Sequence, residues 1–302
     1  MPDVTLKHVP GMRNASPVHE LDAKALTERV FVGEYVANSR PCIVRGAVRH
    51  WPATQKWRDK EYLKARSGHH AIYLLPHEYF LKRWKNEAGK KTTTFAEAID
   101  HLHASDTKAA MFATANPVEL AADTGGFAFL TRVERAFTYK PLRYFFFRNA
   151  GTTWHYHPFD ETLMCQVIGP KKIGLLNVRA ESRAVGDIFL REEYYDDASA
   201  FDGADCTGLQ WFSADLEEGD ALYIPPLWWH GVVPANESFG VTVAAAWRSP
   251  LTVFADSIKK MAAGDFEMVG MAEARDELPR MYAFAQYMGL ANEFVTALKR
   301  GI

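Results

Sequence analysis

Two closely spaced histidines and one distant histidine are the residues best suited to chemistry in this sequence. His155 and His157 lie in the segment GTTWHYHPFDETLMCQVIG, and His230 lies far downstream in EEGDALYIPPLWWHGVV. Because alternate residues of a strand share one face, His155 and His157 are expected to point to the same side of a sheet. If the two segments are neighbouring strands, three imidazoles converge, and neutral imidazoles bind first-row transition metals. Under the competing interpretation, HYH is a hydrogen-bonded pair of surface histidines.

Short apolar segments surround these histidines and predict the strands that would position them. The segments are RYFFFRNAG, TLMCQVIG, KKIGLLNV, DALYIP and FGVTVAAAW, each bounded by glycine, proline or polar residues. Such closely spaced short strands predict an antiparallel sandwich or barrel. Apolar residues at helical spacing occur before these strands and again after Pro250, so the protein is expected to be mainly β with flanking helices.

Composition limits the compartment and the partners. The chain has 302 residues, with 35 Lys+Arg against 37 Asp+Glu, and this near-neutral charge argues against a protein that coats nucleic acid. Its three cysteines are far apart and fit neither a disulfide framework nor a paired-cysteine zinc site. The sequence shows no signal peptide and no apolar stretch near the ~18 residues of a membrane span. We therefore expect a cytoplasmic protein without a membrane partner.

Several segments carry a resemblance to a known family. GDALYIPPLWWH resembles the second metal-binding strand of the Jumonji-C or cupin-8 branch of the iron(II)/2-oxoglutarate oxygenases. QVIGPKKIGLL is similar to the QxxGxKRxxL strand of that family, and EYVANSRPCIVRGAVRHWPATQKW is similar to its PxIxRGxxxxWPAxxxW stretch. The resemblance implies a double-stranded β-helix (cupin or jelly-roll) core made of two packed antiparallel sheets.

The same resemblance implies a division into three regions. Residues 1–130 are expected to form an N-terminal helical and strand segment that packs on the core, and residues 131–250 the catalytic β-helix. Residues 251–302 are expected to form C-terminal helices that join two copies into a homodimer. The implied activity is that of a non-haem iron(II) hydroxylase with 2-oxoglutarate as cosubstrate. Its substrate would be a protein, a tRNA or a small molecule.

Site residues can be carried over by position. His155 matches the first metal ligand and His230 the last. Lys171 matches the lysine that holds the distal carboxylate of 2-oxoglutarate, and Thr152 matches a hydroxyl that assists it. We also expect Tyr144 to donate its hydroxyl to a cosubstrate carboxylate. No catalytic residue is expected beyond the metal site, and alternation sends Lys172, next to Lys171, to the solvent.

One departure from the family pattern affects the ligand set. The family has HxD or HxE, whereas this chain has HYH, so His157 stands where a carboxylate is expected. A three-histidine site is one outcome, and its i, i+2 geometry favours it. A β-bulge could instead bring in Asp160 or Glu161, and the broader cupin pattern HxHxxxE would add Glu161 to the histidines. A weak metal site without redox chemistry is the third outcome.

Three functions are compatible with the resemblance and with this departure from it. The leading hypothesis is the 2-oxoglutarate-dependent hydroxylase. The second is a three-histidine cupin dioxygenase without 2-oxoglutarate, because imidazoles leave the full charge of a metal dication to bind an anionic substrate directly. The third is a non-catalytic cupin-like protein that binds a metal or a ligand.

Overall fold

The computed structural model describes most of the chain between Leu6 and Ser249. The described residues are Leu6 and residues 8–76, 91–136, 139–157, 159–177, 182–191, 198–206 and 208–249. The predicted C-terminal helices, and the homodimer expected from them, fall on residues 251–302 and lie outside the described residues.

Most of the described residues in regular structure belong to strands. These strands are β1 (Ser16–Pro17), β2 (His19–Asp22), β3 (Cys42–Arg45), β4 (Ala71–Pro76), β5 (Lys91–Thr94), β6 (Ala110–Thr114), β7 (Leu142–Arg148), β8 (Thr152–His155), β9 (Asp160–Ile168), β10 (Lys171–Asn177), β11 (Trp211–Leu216), β12 (Ala221–Ile224), β13 (Trp228–Pro234) and β14 (Phe239–Arg248).

Helices are short and lie mainly before the strands of the core. They are α1 (Glu28–Val30), which continues as a π-helix (Phe31–Val36), α2 (Ala53–Lys56), α3 (Lys60–Ser67), α4 (Phe95–His103), α5 (Arg183–Arg191) and 3₁₀ turns at Met12–Asn14, Val118–Asp123 and Ala198–Phe201. A capping box at Thr94 and Glu97 fixes the start of α4. None of the helices in the described ranges has the length and apolar character needed to cross a membrane.

The strands form two sheets that face each other. One sheet has the order β1-β11-β10-β13-β8, and the other has the order β2-β3-β12-β9-β14-β7-β6-β4-β5. The pairs at the centre of both sheets are antiparallel. The predicted fold, mainly β with a double-stranded β-helix core, is therefore confirmed.

Both faces of the larger sheet are buried, and this determines which side chains can reach a site. Apolar residues between the two sheets form the inner core, which includes Ile173, Leu175, Leu222, Ile224 and Val232. The opposite face of the larger sheet packs against the N-terminal helices in an outer core, which includes Trp57, Phe95, Tyr144, Phe146 and Tyr223. Only side chains on the inner face can take part in a site between the sheets.

The turn before β12 is anchored by the buried carboxylate of Asp220. Its Oδ1 accepts a hydrogen bond from the Gly46 amide at 2.8 Å, and its Oδ2 accepts one from Arg45 Nη1 at 2.6 Å. The amide of Glu217 donates to Oδ2 at 3.2 Å. Gly219 precedes it with φ 91°, a conformation that glycine adopts without strain. This turn ties the N-terminal strand β3 to the core.

We predict that Asp220→Ala lowers the free energy of unfolding by about 2–4 kcal/mol, because it leaves the Gly46 and Glu217 amides and the Arg45 guanidinium without their acceptor. Chemical denaturation followed by fluorescence measures this change. Lys60→Ala is the control, since it removes only ion pairs between exposed side chains. Equal stability of the two variants would contradict the anchoring role of Asp220.

Candidate metal centre

The fold brings the three predicted histidines together. His155 ends β8, His157 follows it, and His230 lies on β13 directly opposite His155. The ring centroids are 4.1 Å apart for His155 and His230, 4.9 Å for His157 and His230, and 5.3 Å for His155 and His157. One nitrogen from each ring lies within 4.8 Å of the other two, which is a spacing that a single metal ion can bridge.

Hydrogen bonds to the Nδ1 atoms orient the rings. His155 Nδ1 donates to the carbonyl of Thr153 at 2.7 Å, and His230 Nδ1 donates to the carbonyl of Trp228 at 3.0 Å. A carbonyl can only accept, so both rings carry their proton on Nδ1 and keep a lone pair on Nε2. His157 Nδ1 pairs with the hydroxyl of Thr162 at 3.1 Å. Such partners fix the tautomer and orientation of metal-ligating histidines.

Burial keeps the imidazoles neutral. It lowers the pKa of His155 to about 4, and it holds the pKa values of His157 and His230 well below the usual range, with the neighbouring rings and Arg143 adding to the effect. His230 Nε2 is buried and has no hydrogen-bond partner among the described residues. A buried lone pair without a donor is costly, and a cation would satisfy it. The donor set therefore fits a transition-metal ion.

The two acidic candidates are placed differently from the histidines. Glu161 points to the outer face of β9, where its carboxylate accepts a hydrogen bond from Tyr223 at 2.5 Å. The expectation that Glu161 joins or replaces a ligand is therefore wrong, because it lies on the opposite side of its strand from the histidines. Asp160 accepts a hydrogen bond from the Tyr139 amide at 3.1 Å and is not part of the ligand cluster found among the described residues.

Lys171, for which the resemblance implies the part of a cosubstrate anchor, lies on the inner face of the smaller sheet. It begins β10 on the inner face with Ile173 and Leu175, whereas Lys172 is exposed on the other face, as alternation predicted. The Lys171 side chain is buried, and its Nζ lies 3.8 Å from the centroid of the Phe147 ring. Burial lowers the pKa of Lys171 to about 7. No hydrogen bond or ion pair holds this ammonium within the described residues, so it suits an incoming carboxylate.

Thr152 shares a face with His155 because β8 is irregular. Simple alternation would place residues three apart on opposite faces. In the pairing with β13, however, His155 faces His230 and Thr152 faces Val232, so β8 has one residue more than its partner over this stretch. Residues directly opposite in a pair share a face, and Val232 belongs to the inner core. The Thr152 hydroxyl is buried without a partner in the described structure.

The expectation for Tyr144 is wrong. Tyr144 packs in the outer core, with its ring 5.8 Å from that of Trp57, on the side of β7 that faces the N-terminal helices. Desolvation there raises the pKa of Tyr144 to about 12. Because β7 is buried on both faces, hydrophobicity alone does not reveal which alternate set of residues points inward. Tyr144 therefore cannot donate to a cosubstrate held between the sheets.

The inward residue that the sequence reasoning missed is Arg143. Its guanidinium carbon lies 3.8 Å from the centroid of the Tyr139 ring, and the Tyr139 ring is 5.1 Å from that of His157. Burial lowers the pKa of Arg143, and Asp160 opposes the shift. The sequence did contain a signal for Arg143, because it is a charged residue within the otherwise apolar strand LRYFFFR. Charged residues are seldom buried without a structural or functional reason.

A second group of potential ligands lies at the surface. His69, His70 and Glu119 also have ligand atoms within 4.8 Å of one another. His70 Nε2 already pairs with the Glu119 carboxylate at 3.1 Å, and His69 is exposed. This group therefore lacks the buried, unpartnered lone pair that distinguishes the inner cluster.

The β-helix core and its inner histidine cluster define a cupin-type protein with a candidate metal centre. A family model described as a cupin-like domain matches residues 27–182. This is more than half of the chain, and the chain belongs to this family.

Two curated relatives are similar to most of the chain. The chain is 24% identical over 264 residues to "Jumonji C domain-containing protein 5" of Drosophila melanogaster, covering 79% of this chain and 62% of that protein. It is 25% identical over 227 residues to "Lysine-specific demethylase JMJ30" of Arabidopsis thaliana, covering 70% of this chain and 51% of that protein. The chain thus spans between a half and two thirds of these relatives. The predicted resemblance to the Jumonji-C and cupin-8 family is confirmed.

We predict that His230→Ala weakens iron(II) binding about 100-fold or more, since even partners of metal ligands contribute 10- to 100-fold. Equilibrium dialysis under anaerobic conditions measures the affinity. His70→Ala is the matched control, because it removes a ligand from the surface group and leaves the inner cluster intact. Tight binding that survives His230→Ala but not His70→Ala would place the metal at the surface instead.

The neutral imidazoles also predict a pH dependence for the metal-free protein. Because the pKa of His155 falls from 6.5 to about 4 on folding, the unfolded chain binds more protons than the native state in this window. The free energy of unfolding should therefore decrease as the pH is lowered from 6.5 to about 4. Urea titrations across this range should give a shallower slope for His155→Gln than for His101→Gln, which alters an exposed residue of α4. Equal slopes would contradict the burial of His155 in neutral form.

Proposed function

We propose that this protein is a non-haem iron(II) oxygenase that uses 2-oxoglutarate to hydroxylate an organic substrate. The observation that carries this proposal is the buried Lys171 ammonium, which shares the inner face of the β-helix with three neutral imidazoles and has no carboxylate partner within the described residues. A metal ion would bind the three imidazoles, and a dicarboxylate would pair with the Lys171 ammonium. Membership in the cupin-like family and similarity to Jumonji C proteins support the same activity.

Each inner residue has a defined part in this proposal. His155, His157 and His230 would hold iron(II) through their free ring nitrogens, with Nδ1 partners keeping the rings in place. Lys171 would bind the distal carboxylate of 2-oxoglutarate, and the Thr152 hydroxyl would donate a second hydrogen bond to it. When bound, iron(II) and 2-oxoglutarate would supply the oxidation of a C–H bond by O₂, with succinate and CO₂ as coproducts.

The surroundings of Lys171 favour binding of an anion. An ammonium in a site of low dielectric interacts strongly with a carboxylate, because water does not screen the pair. The Phe147 ring beneath the ammonium stabilises its charge without neutralising it. The turn before β10 is also held firmly, since Gln166 donates to the carbonyls of Ile168 and Gly169 and accepts from Thr242 at 2.8 Å. Lys171 is therefore presented by a rigid support.

The all-imidazole cluster favours a second candidate function. No carboxylate belongs to the inner ligand cluster in the part of the chain that is described, so a bound dication would keep its full charge. Such a centre would chelate an anionic substrate directly, as expected of a three-histidine dioxygenase. Oxygen uptake without release of succinate would select this function. Absence of tight metal binding after anaerobic purification with iron would select the non-catalytic alternative.

We predict that Lys171→Met raises the dissociation constant of 2-oxoglutarate by about 10- to 100-fold, the effect of losing a charge-assisted bond to a carboxylate. Anaerobic titration of the iron(II)-loaded protein with 2-oxoglutarate, followed by its visible charge-transfer band, measures this constant. Lys172→Met is the matched control, because the neighbouring lysine is exposed on the other face of β10.

Two further readings complete this test. Iron(II) affinity should be unchanged in Lys171→Met, since this residue is not in the ligand cluster. In the presence of O₂, Lys171→Met should release succinate more slowly than the wild type and Lys172→Met, because it binds 2-oxoglutarate more weakly. An iron-loaded wild-type protein without the band and without succinate release would reject 2-oxoglutarate as cosubstrate.

A further inference from the structure

We propose that Arg143 is the residue that selects the substrate, and that it selects a substrate with a carboxylate near the oxidised carbon. This inference rests on the proposed function, because it assigns a partner to the same metal centre. The substrate inferred here differs from the lysine that the name of one relative, a lysine-specific demethylase, describes. A cation beside the metal site would repel a cationic side chain.

Arg143 lies close to the inner histidine cluster. It lies on β7 directly opposite Ala244 of β14, and its guanidinium covers the Tyr139 ring, which in turn contacts His157. A Phe145 ring also lies near the guanidinium, at 5.8 Å. The Tyr139 ring therefore lies between Arg143 and His157 and contacts both.

The guanidinium is available for a ligand. Its Nε is buried and has no hydrogen-bond partner among the described residues, and the guanidinium lies against the Tyr139 and Phe145 rings. Asp160 acts on it electrostatically, but the Asp160 carboxylate already accepts a hydrogen bond from the Tyr139 amide. The planar guanidinium is pre-oriented by stacking and presents several N–H donors, a geometry suited to a carboxylate.

Lys171 and Arg143 occupy different ends of the inner surface. Lys171 lies over Phe147, and Phe147 follows Arg143 by four residues on β7. At about 3.3 Å per residue, the backbone positions of Arg143 and Phe147 are about 13 Å apart. Lys171 would bind 2-oxoglutarate. Arg143, on the side of His157, would then be left to bind the substrate that is oxidised.

The side chains that neighbour Arg143 on β14 are small. Ala244 is directly opposite Arg143, and Ala246 follows on the same face, whereas Ala245 and Trp247 belong to the outer core. A guanidinium held by ring contacts, with small neighbours and the histidine cluster nearby, suits an anionic group of the second reactant. This combination is absent around Arg148, which donates to the Leu102 carbonyl of α4 at 3.2 Å.

The test compares matched probes on the anaerobic protein loaded with iron(II) and 2-oxoglutarate. The probes are the N-acetyl, N-methylamide derivatives of glutamate, glutamine and lysine, and isothermal titration calorimetry measures their dissociation constants. The wild-type protein should bind the glutamate probe about tenfold or more tightly than the glutamine probe, and the lysine probe least tightly. A wild-type protein without this carboxylate preference would overturn the proposal, whatever the variants do.

Variants assign the preference to a residue. Arg143→Gln should reduce the ratio between glutamate and glutamine probes to about twofold or less, and Arg143→Lys should keep part of it, because charge remains while the planar fork is lost. Arg148→Gln is the control on the same strand and should keep the wild-type ratio. A ratio that is unchanged in Arg143→Gln would overturn the assignment.

Two outcomes separate this inference from the proposed function. Affinity for 2-oxoglutarate should be the same in Arg143→Gln and in the wild type, and its loss would make Arg143 a cosubstrate anchor and overturn the proposal. Repeating the titrations with iron(II) alone covers the remaining case. If 2-oxoglutarate does not bind at all, the proposed function fails, while the carboxylate preference is still measured at the metal-loaded site.

Discussion

The pairing of β8 with β13 is the interaction on which the candidate site depends. It sets His155 opposite His230, while the extra residue in β8 also turns Thr152 toward the interior. A one-residue shift in this register would move the histidine of β8 to the outer face. The pairing of β13 with β10 then places Lys171 on the same inner surface. The His155 and His230 imidazoles, the Thr152 hydroxyl and the Lys171 ammonium thus share one face because of two adjacent strand registers.

Charge gives this inner surface its chemical character. Its cations are Lys171 and Arg143, its candidate metal ligands are neutral imidazoles, and Glu161 points away to Tyr223. Burial of the Lys171 cation without a matching anion among the described residues costs free energy, so this surface stabilises a bound anion more than an exposed surface would. The buried Asp160 carboxylate, which also accepts a hydrogen bond from the Tyr139 amide, offsets part of the Arg143 charge. Anionic cosubstrate and anionic substrate are both consistent with this balance.

Sequence patterns predicted the fold class and the shared face of His155 and His157, because short strands and i, i+2 spacing are local features. The meeting with His230 was predicted only on the condition that β8 and β13 are neighbours, and their pairing meets that condition. They did not predict the inward face of β7, since Tyr144 and Arg143 both lie in a strand that is buried on both sides. The same ambiguity applies to Glu161 on β9. Thr152 was found by resemblance, whereas alternation alone would have pointed it outward, because the bulge in β8 depends on its partner strand.

The most direct test of the central claim is a crystal structure of the anaerobic iron(II)-loaded protein, with the metal located by its anomalous scattering. We predict one ion bound between the sheets by ring nitrogens of His155, His157 and His230 at about 2.0–2.2 Å. An ion at the surface group, or one held by the Asp160 or Glu161 carboxylate in place of His157, would contradict this account.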